Sequence, residues 1–545
     1  MSSEHAQQAS TTAVETRPDE AEVLHILEPD EWKMTPMRYL DEKKRLTTWD
    51  EVRVGFDEEE LLNEAERCIL CPHPTCISGC PNNNPIPTYI GLVQEGRILE
   101  AAVADYEKNS LGACTGRVCA WENQCEGHCV LNARGEGVRI GAIERYIADY
   151  ALRHKEEFDA LRAKRAQERR ERGNSPYGDP AVSGYAAAVA AYGHKEVPSY
   201  EPSDPLPDDA VLTGFRVAVI GAGPAGLACA DYLTRRGCAV EVFEAQKYSG
   251  GLLSDGIPDY VLPQGIVNEE VDRIARQGAH IHYEKTLGRD IQVDDLLKEF
   301  DAVFLGFGAV KARTAGCPGE DAKGVVTGQQ FLWQARIAVS HGLDVPLPEV
   351  GNVVLIIGAG DTAMDCARTS VRLGAKDVQI VYRRTRAESP SRDIEIEHAM
   401  DEGVHFDYLV NPVEFIKDES GHVRAVRLVK MQLGAPDASG RRSPEPIPGS
   451  EFEKACDNVI MAVGYSAGGD LAGHPEIVNR NGTIRTKNPG GETDIPGLFA
   501  GGDIVRGAMT VVHAVRDGRL SADAIGCYLR GVATGEAEQS QARTA

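Results

Sequence analysis

The sequence lacks the marks of a membrane or secreted protein. Its 545 residues contain no apolar run long enough for a membrane-spanning helix, which needs about 20 predominantly apolar residues. The N-terminal stretch MSSEHAQQASTTAVETRPDEAEV has no basic start and no apolar core, so it is not a secretory signal. These absences predict a cytoplasmic chain that does not associate with a membrane.

Positive charge is also scarce. Lysine and arginine total 58 against 83 aspartate and glutamate, so the net charge is −25 and the pI about 5.1. This balance argues against a nucleic acid, itself a polyanion, as a general partner. The 42% hydrophobic content is ample for buried cores, and a prior of about 150 residues per domain predicts three or four domains.

A glycine-rich turn carries the first chemical signal. Residues 217–220 read as a buried strand, and Gly221, Gly223 and Gly226 follow in the pattern GAGPAG. A second strand pattern ends at Glu244, at the distance of about 20 residues typical of a dinucleotide-binding βαβ unit. The glycines let the backbone approach a pyrophosphate at a helix N-terminus, and Glu244 is placed for ribose hydroxyls. Cofactor binding is favoured over a merely structural turn.

Eight of the fourteen cysteines lie between Cys68 and Cys129. Their spacing is Cys-x2-Cys-x4-Cys-x3-Cys-Pro, then Cys-x5-Cys-x3-Cys, with Cys114 just upstream of the second group. Closely spaced thiolates, the last followed by proline, can hold a cubane iron–sulfur cluster. Zinc is the alternative, although it usually takes CxxC pairs in sets of four ligands. Free or disulfide-bonded cysteines are a third possibility, and the pattern favours [4Fe–4S].

A second fingerprint begins at Gly358, with alanine in place of the third glycine. The strand that follows it ends in Arg383 and Arg384 instead of an acid. Arginines accommodate a 2′-phosphate, so NADPH is favoured over NADH. The alternative is a solvated arginine pair. The predicted NADPH contacts are Gly358, Gly360, Asp361, Thr362, Ala363, Arg383 and Arg384.

The cysteine block, with CILCPHPTCISGCPNNNPIPTYI, TGRVCAWENQCEGHCV and IGAIERYIAD, resembles the iron–sulfur domain of the glutamate synthase small (beta) subunit family. The same domain occurs in dihydropyrimidine dehydrogenase and in NADH-dependent ferredoxin:NADP oxidoreductases. The resemblance implies a crosswise arrangement, in which each cluster takes ligands from both cysteine groups. It also implies that Cys114 is not a ligand. The implied ligands are Cys68, Cys71, Cys76 and Cys129 for the first cluster, and Cys80, Cys119, Cys125 and Glu144 for the second. Taken by itself, Glu144 reads as a helix-surface acid.

The resemblance also assigns the first fingerprint to FAD. A Gly-Gly pair at 250–251 and a closing Gly-Gly-Asp motif at 501–503 would line the same cofactor. The family usually has a basic residue where Val261 stands, so this chain departs from the family pattern at that position. The implied FAD contacts are Gly221, Gly223, Pro224, Ala225, Gly226, Glu244, Gly250, Gly251, Leu252, Gly256, Ile257, Gly502, Asp503, Met509, Thr510 and Val511.

The expected fold class is α/β, with two Rossmann-like dinucleotide-binding domains, for FAD and NAD(P)H, behind a mainly α-helical iron–sulfur domain. We expect a disordered tail at 1–24, the double-cluster domain at 25–152, and a charged helix and linker at 153–213. The FAD domain is expected at 214–345 and 485–532, the NAD(P)H domain at 346–484, and a disordered tail at 533–545.

These features predict an NAD(P)H oxidoreductase in which cofactors carry out hydride transfer, so no catalytic side chain is expected. The resemblance implies a hetero-oligomer that passes electrons to a large catalytic subunit, because this chain has no glutaminase-like N-terminal cysteine and no barrel-length domain. Two alternatives stay open. One is electron input to another partner, such as a pyrimidine reductase, a ferredoxin-linked transhydrogenase or a hydrogenase. The other is a zinc-stabilised assembly module without enzymatic activity.

Overall fold

The computed structural model describes residues 33–172, 212–309, 311–436 and 442–543. The tail expected at 1–24 and the Pro/Gly-rich stretch expected as a linker at 176–210 lie outside these ranges. Within them, no helix is long and apolar enough to cross a membrane.

The first domain is helical. Asp57 begins its second helix with a capping box, in which the Asp57 side chain accepts from the Glu60 amide and the Glu60 side chain accepts in return. The stretch Ile86–Tyr106 forms two helices, because Gly96 takes a left-handed conformation (φ +72°) between them. The helices are Glu42–Arg45, Glu58–Glu66, Thr75–Gly79, Ile86–Gln94, Ile98–Tyr106, Gly112–Val118, Ile140–Arg153 and Lys155–Arg172. Short 3₁₀ turns cover Trp121–Asn123 and Val130–Ala133.

The second domain is built on a five-stranded parallel sheet that contains the first fingerprint. Across the sheet the strands are Leu498–Ala500, Ala302–Leu305, Arg216–Ile220, Ala239–Phe243 and Ala279–His282. Its helices are Pro224–Arg235, Leu252–Asp255, Gln264–Arg276, Val293–Glu299, Asp503–Arg506 and Val511–Arg543. The central strand is buried from Val217 to Ile220, as a parallel strand covered on both faces requires.

The third domain repeats this plan around the second fingerprint. Its parallel sheet has the strand order Val325–Thr327, Asn458–Met461, Val353–Ile357, Asp377–Tyr382 and His405–Tyr408. The helices are Gly328–Ser340, Asp361–Arg372 and Asp393–Asp401, with a 3₁₀ turn at Arg386–Glu388. Two further 3₁₀ turns, Gly469–Ala472 and Pro475–Ile477, follow after the chain has returned to the second domain. An antiparallel extension contains Val410–Lys417, Val423–Pro436, Arg442–Pro446 and Phe452–Ala455.

The chain passes between the two α/β domains earlier than expected in both directions. Strand Val325–Thr327 pairs with Asn458–Met461 in the third domain, so residues before 346 already belong there. On the return, Ile477 and Ile484 pack into the core of the second domain, so the segment before 485 belongs to that one. The two crossings pair as a small antiparallel ladder, Lys311–Ala312 with Tyr465–Ser466.

The final helix is also longer than expected. It runs over Val511–Arg543, past the boundary anticipated at residue 532. Its last part, GEAEQSQAR, is rich in alanine, glutamate and glutamine, which have high helix propensity.

Candidate functional site

Four cysteines of the helical domain line one pocket. They are Cys68, Cys71, Cys76 and Cys129, the set predicted for the first cluster. The pocket encloses about 370 Å³ of space, part of it open to solvent. Its other walls are mainly apolar, with Ile86, Pro87, Ile90, Val138 and Ile140 among them. All four cysteines are half-buried.

Cys129 reaches this pocket because its loop docks on the short helix Thr75–Gly79. The Thr75 hydroxyl donates to the His128 carbonyl, one residue before Cys129. A side chain at Gly79 would collide with the His128 ring, at 2.6 Å from its Cγ, so the close approach depends on glycine. The fold therefore joins the last cysteine of the second sequence group to the first three of the first group.

The remaining ligand candidates form a second, buried group. Burial, together with the nearby Glu144 carboxylate, raises the pKa of Cys80 to about 11. Burial likewise raises the pKa of Cys119 and of Cys125, and both lie within the electrostatic influence of Cys80 and Glu144. The structure thus brings together Cys80, Cys119, Cys125 and Glu144, with each cysteine buried. Metal binding is what would hold such buried thiols in their thiolate form.

Glu144 is held by a network of its own. It lies on helix Ile140–Arg153 and is 5% exposed, not the surface acid that its sequence context predicts. Its Oε1 accepts hydrogen bonds from Asn109 Nδ2 at 2.8 Å and from Thr115 Oγ1 at 2.5 Å. Burial raises the pKa of Glu144 to about 7, although both bonds oppose the rise. Sequence reasoning missed Asn109 and Thr115, since nothing in the local sequence marks them as partners of residue 144.

Cys114 stands apart from both groups. It is fully buried. Burial raises the pKa of its thiol, and the charged groups that also influence this pKa are Glu270, Arg117, Arg273 and Asp149, with no cysteine among them. Across the described residues, no three histidine, cysteine, aspartate or glutamate side chains converge in the manner of ligands to a single metal ion. The first cysteine group lines a pocket instead, as ligands of a multi-iron cluster would.

The three predicted FAD signatures come together at the edge of the second domain. Gly221 adopts φ +95°, and a side chain at Gly226 would lie 1.9 Å from the Gly221 carbonyl oxygen. Opposite this turn, a side chain at Gly251 would meet the Gly223 Cα at 3.1 Å. A side chain at Gly502 would lie 2.8 Å from the Ala225 Cβ. The other contacts implied for FAD, Pro224, Gly250, Leu252, Gly256, Ile257, Met509, Thr510 and Val511, stand on the same or directly following segments.

Two carboxylates flank this turn. Glu244 accepts from the amides of Ala222 and Gln246, each at 2.8 Å, and burial raises its pKa. Burial, together with the nearby Asp517 carboxylate, raises the pKa of Asp503 to about 6. Asp503 Oδ1 accepts from the Met509 amide at 3.3 Å, which positions the start of the final helix. These two acids lie where ribose and ribityl hydroxyls of FAD would need acceptors.

The second fingerprint forms the same turn in the third domain. Gly358 adopts φ +126°, and a side chain there would lie 2.3 Å from the Ala462 carbonyl oxygen. A side chain added at Gly360 would find open space, since the nearest atom, Pro390 Cγ, would lie 3.6 Å from its Cβ. Asp361 opens the helix and accepts from the Ser391 hydroxyl at 2.8 Å, while Ala363 is fully buried at the packing position. Thr362 lies beside them in the same first turn.

The two arginines after the next strand differ. Arg383 is exposed. Arg384 is 9% exposed, and its Nε donates to the Arg442 carbonyl at 2.9 Å. Only the first has an exposed guanidinium, whereas the second ties the strand end to the antiparallel extension.

The helical domain and the third domain meet at Trp121, which lies between Cys119 and Cys125 in sequence. The guanidinium groups of Arg53 and Arg392 lie over the Trp121 ring, at 5.2 and 4.5 Å from its centroid. Arg392 also forms an ion pair with Glu122 at 2.7 Å. The nucleotide-binding domain therefore contacts the loop that carries the second cysteine group.

Comparison with known families matches both parts of the chain. Residues 45–156 match the family described as dihydropyrimidine dehydrogenase domain II, 4Fe-4S cluster. Residues 215–518 match the family described as pyridine nucleotide-disulphide oxidoreductase. Among curated relatives, the glutamate synthase [NADPH] small chain of Escherichia coli K12 is 37% identical over 89% of this chain and 94% of its own length.

The chain belongs to the glutamate synthase small-subunit family.

Other relatives of this chain are named as different oxidoreductases. The putative oxidoreductase AegA of Escherichia coli K12 is 36% identical over 96% of this chain and 73% of its own length. The NADP(+)-dependent formate dehydrogenase subunit beta of Moorella thermoacetica is 36% identical over 84% of this chain and 60% of its own length. The similarity therefore extends to oxidoreductases other than glutamate synthase.

A solved structure confirms the reductase fold of this family member. FprA of Mycobacterium tuberculosis in complex with NADPH is similar to 59% of this chain and 86% of its own, with 20% identity and a TM-score of 0.52. The expected fold class is confirmed: a helical iron–sulfur domain precedes Rossmann-like reductase domains. The chain is an electron-transfer oxidoreductase with a 4Fe–4S domain and an FAD- and NADPH-binding domain.

Proposed function

We propose that the chain is the electron-input subunit of a glutamate synthase. It would oxidise NADPH and deliver electrons to a separate large subunit that makes glutamate from glutamine and 2-oxoglutarate. The observation that carries this proposal is the pair of cysteine groups, one half-buried and one buried, in a domain packed against a two-nucleotide reductase. The match to 94% of the length of a glutamate synthase small chain supports it.

The cofactors supply the redox chemistry: when bound, FAD accepts hydride from the nicotinamide, and [4Fe–4S] clusters carry single electrons. The chain's residues bind and orient. Glu244 holds its carboxylate against two backbone amides, which leaves lone pairs on both oxygens for ribose hydroxyls. Thr510 and Val511 stand at the N-terminus of the final helix, whose positive end stabilises negative charge on a reduced flavin.

Arg383 is the residue we assign to the 2′-phosphate of NADPH. Its guanidinium is exposed at the end of strand Asp377–Tyr382, where the ribose of the bound nucleotide belongs in this fold. A guanidinium forms strong charge-assisted bonds with phosphate. Arg384 supports this position by its bond to the Arg442 carbonyl.

The pocket of Cys68 is the exit that we propose for electrons. Its cysteines are half-buried, whereas those beside Glu144 are buried, so the first cluster is nearer to solvent. Two exposed apolar side chains, Ile69 at 63% and Val130 at 39%, line the same pocket. We refer to Ile69 and Val130 as the exit rim. An apolar rim around a redox centre suits a protein acceptor, because docking excludes water there.

The exit rim can be tested with Ile69→Asp. We expect glutamate formation with the large subunit to fall at least ~10-fold, since a desolvated charge costs more than about 1.4 kcal/mol at an interface. NADPH oxidation by a small dye should continue at the wild-type rate. Leu347→Asp is the matched control, since Leu347 is 45% exposed but is not among the residues that line the pocket. Equal losses in both variants would contradict the assignment.

The decisive experiment for the function is anaerobic purification. We expect about eight irons per chain, as two [4Fe–4S] clusters require, and glutamine-dependent NADPH oxidation only when a glutamate synthase large subunit is added. A colourless, iron-free protein would refute the redox function. About four irons would remove one cluster from the proposal.

A second candidate is electron input to a different partner. The observation that favours it is the formate dehydrogenase beta subunit of Moorella thermoacetica, which is 36% identical to this chain. Co-purification distinguishes the two functions. A large subunit with glutaminase activity supports the first, and another redox enzyme supports the second.

A further inference from the structure

One buried hydroxyl in the helical domain has no partner in the protein. Tyr89 lies on helix Ile86–Gln94 and is 0% exposed. Its phenolic oxygen forms no hydrogen bond, and it is the one buried tyrosine hydroxyl in this state among the residues that the structure describes. Leaving a buried hydroxyl unpaired is unfavourable, because no hydrogen bond compensates for its desolvation. A buried polar group of this kind therefore points to a partner outside the polypeptide.

The other fully buried tyrosines show the usual arrangement. The Tyr106 hydroxyl donates to Glu270 at 2.7 Å. The Tyr260 hydroxyl donates to the Asp365 carbonyl at 3.0 Å. Both are buried as deeply as Tyr89, at 0% and 1% exposure, so burial alone does not explain the unpaired oxygen.

The surroundings of Tyr89 identify the missing partner. Burial raises the pKa of Tyr89, and the negative charge of four nearby groups raises it as well: Glu144, Asp105, Cys125 and Cys80. Three of these belong to the proposed ligand set of the second cluster. At neutral pH the phenol therefore keeps its proton and is a hydrogen-bond donor.

The nearby carboxylates are engaged with other donors. Glu144 Oε1 accepts from Asn109 and Thr115. Asp105 accepts from Asn84 at 3.2 Å and from Asn109 at 3.5 Å. The Cys80 and Cys125 sulfur atoms, and the sulfides of a cluster that they hold, are further acceptors in the same neighbourhood.

We propose that the Tyr89 hydroxyl donates a hydrogen bond to a sulfur atom of the second [4Fe–4S] cluster or of its thiolates, and that this bond raises the cluster's reduction potential. Hydrogen bonds to sulfur are one of the levers that set such potentials. A donor stabilises the reduced state more, because that state carries more negative charge. Tyr89 is thus a positioning residue, and the inference rests on the proposed ligand set.

Tyr89→Phe in the full-length protein tests the proposal, with EPR-monitored redox titration of both clusters. We expect unchanged iron content, a lower potential for one cluster and the wild-type value for the other. Pulsed EPR in H₂O and D₂O should detect an exchangeable proton coupled to that cluster in the wild type, and its signal should be lost in the variant. Tyr260→Phe is the matched control, since it removes a buried hydroxyl that has a protein partner; both potentials should stay unchanged.

The outcomes separate this inference from the proposed function. A wild-type protein without two clusters overturns both. A wild-type protein with two clusters, together with a Tyr89→Phe protein whose two potentials are unchanged, overturns the inference alone. If Tyr89→Phe does not retain the second cluster, the wild-type pulsed EPR decides, and the absence of any exchangeable-proton coupling overturns the inference.

Discussion

Cys114 and Cys129 differ in what surrounds their sulfur atoms. Cys129 lines the pocket of the first group, together with Cys68, Cys71 and Cys76. Cys114 is buried among Arg117, Asp149, Glu270 and Arg273, away from that pocket. In sequence the two cysteines are equally plausible ligands, since both lie in the same dense block.

We therefore expect Cys114→Ser to retain about eight irons per chain and Cys129→Ser to fall to about four, since a [4Fe–4S] cluster needs its full ligand set. Iron and acid-labile sulfide assays on anaerobically purified variants measure this. Iron loss in Cys114→Ser would contradict the crosswise ligand sets.

Arg383 and Arg384 give a second prediction at the scale of one residue. Arg383→Ala should raise the KM for NADPH by ~10-fold, because a hydrogen bond to a charged group contributes about 1.5–3 kcal/mol. The KM for NADH should barely change. Arg384→Ala should instead lower stability by about 1 kcal/mol, since the bond to the Arg442 carbonyl is lost. Steady-state kinetics with both nucleotides check the pair, and equal effects of Arg383→Ala on both would refute the phosphate contact.

At the scale of elements, Gly116 determines how closely two helices approach. It lies on helix Gly112–Val118, and a side chain there would meet the Arg145 backbone nitrogen at 2.6 Å. The contact places Glu144, on helix Ile140–Arg153, beside Thr115 and Cys119. The second group thus depends on a helix pair as well as on its ligands.

Gly116→Ala should separate these helices. We expect a loss of about 1–3 kcal/mol in unfolding free energy, as overpacking costs, and iron content below that of the wild type. Gly531→Ala is the matched control, because no atom lies within 4 Å of a side chain added at that helical glycine; it should be neutral or stabilising by up to ~1 kcal/mol. A Gly116→Ala protein with full iron content would show that the approach is dispensable.

At the scale of the whole molecule, buried ion pairs join the helical domain to the nucleotide-binding domain. Arg53 contacts Glu395 at 2.8 Å, and Arg368 contacts the same carboxylate at 2.7 Å. Burial alone would raise the pKa of Glu395, but the two guanidinium groups bring it down to about 2 from 4.5. Because the folded-state pKa is lowered, this stabilisation is present above pH 4.5 and is lost as the pH falls towards 2.

A double-mutant cycle on Arg53→Ala and Glu395→Ala should give a coupling energy of about 0.5–3 kcal/mol at pH 7. The coupling should shrink in measurements below pH 4.5, as Glu395 becomes protonated in the unfolded state. The exposed pair Lys298–Asp295 is the control, and its coupling should be weaker than that of the buried pair, because water and salt screen it. Chemical denaturation measures both cycles, and equal couplings would contradict a role for this pair in domain docking.

The sequence by itself determined the features that depend on nearby residues. Gly221, Gly358 and the Gly-Gly-Asp motif at 501–503 each mark a turn whose chemistry lies within a few residues. The fold class and the cofactors were predicted from these motifs together with the cysteine spacing and the family resemblance, and both are confirmed by the comparisons. The residues assigned to each cofactor remain predictions.

Only the tertiary structure decided what depends on residues far apart in the chain. Strand Val325–Thr327 joined the third domain because it pairs with a strand more than a hundred residues later. Arg384 proved to be bonded to the Arg442 carbonyl, while Arg383 is exposed. Tyr89 reads as a core aromatic until its hydroxyl is seen beside Cys80 and Glu144 without a partner. Burial and hydrogen-bond partners are set by packing between distant segments, which no local pattern encodes.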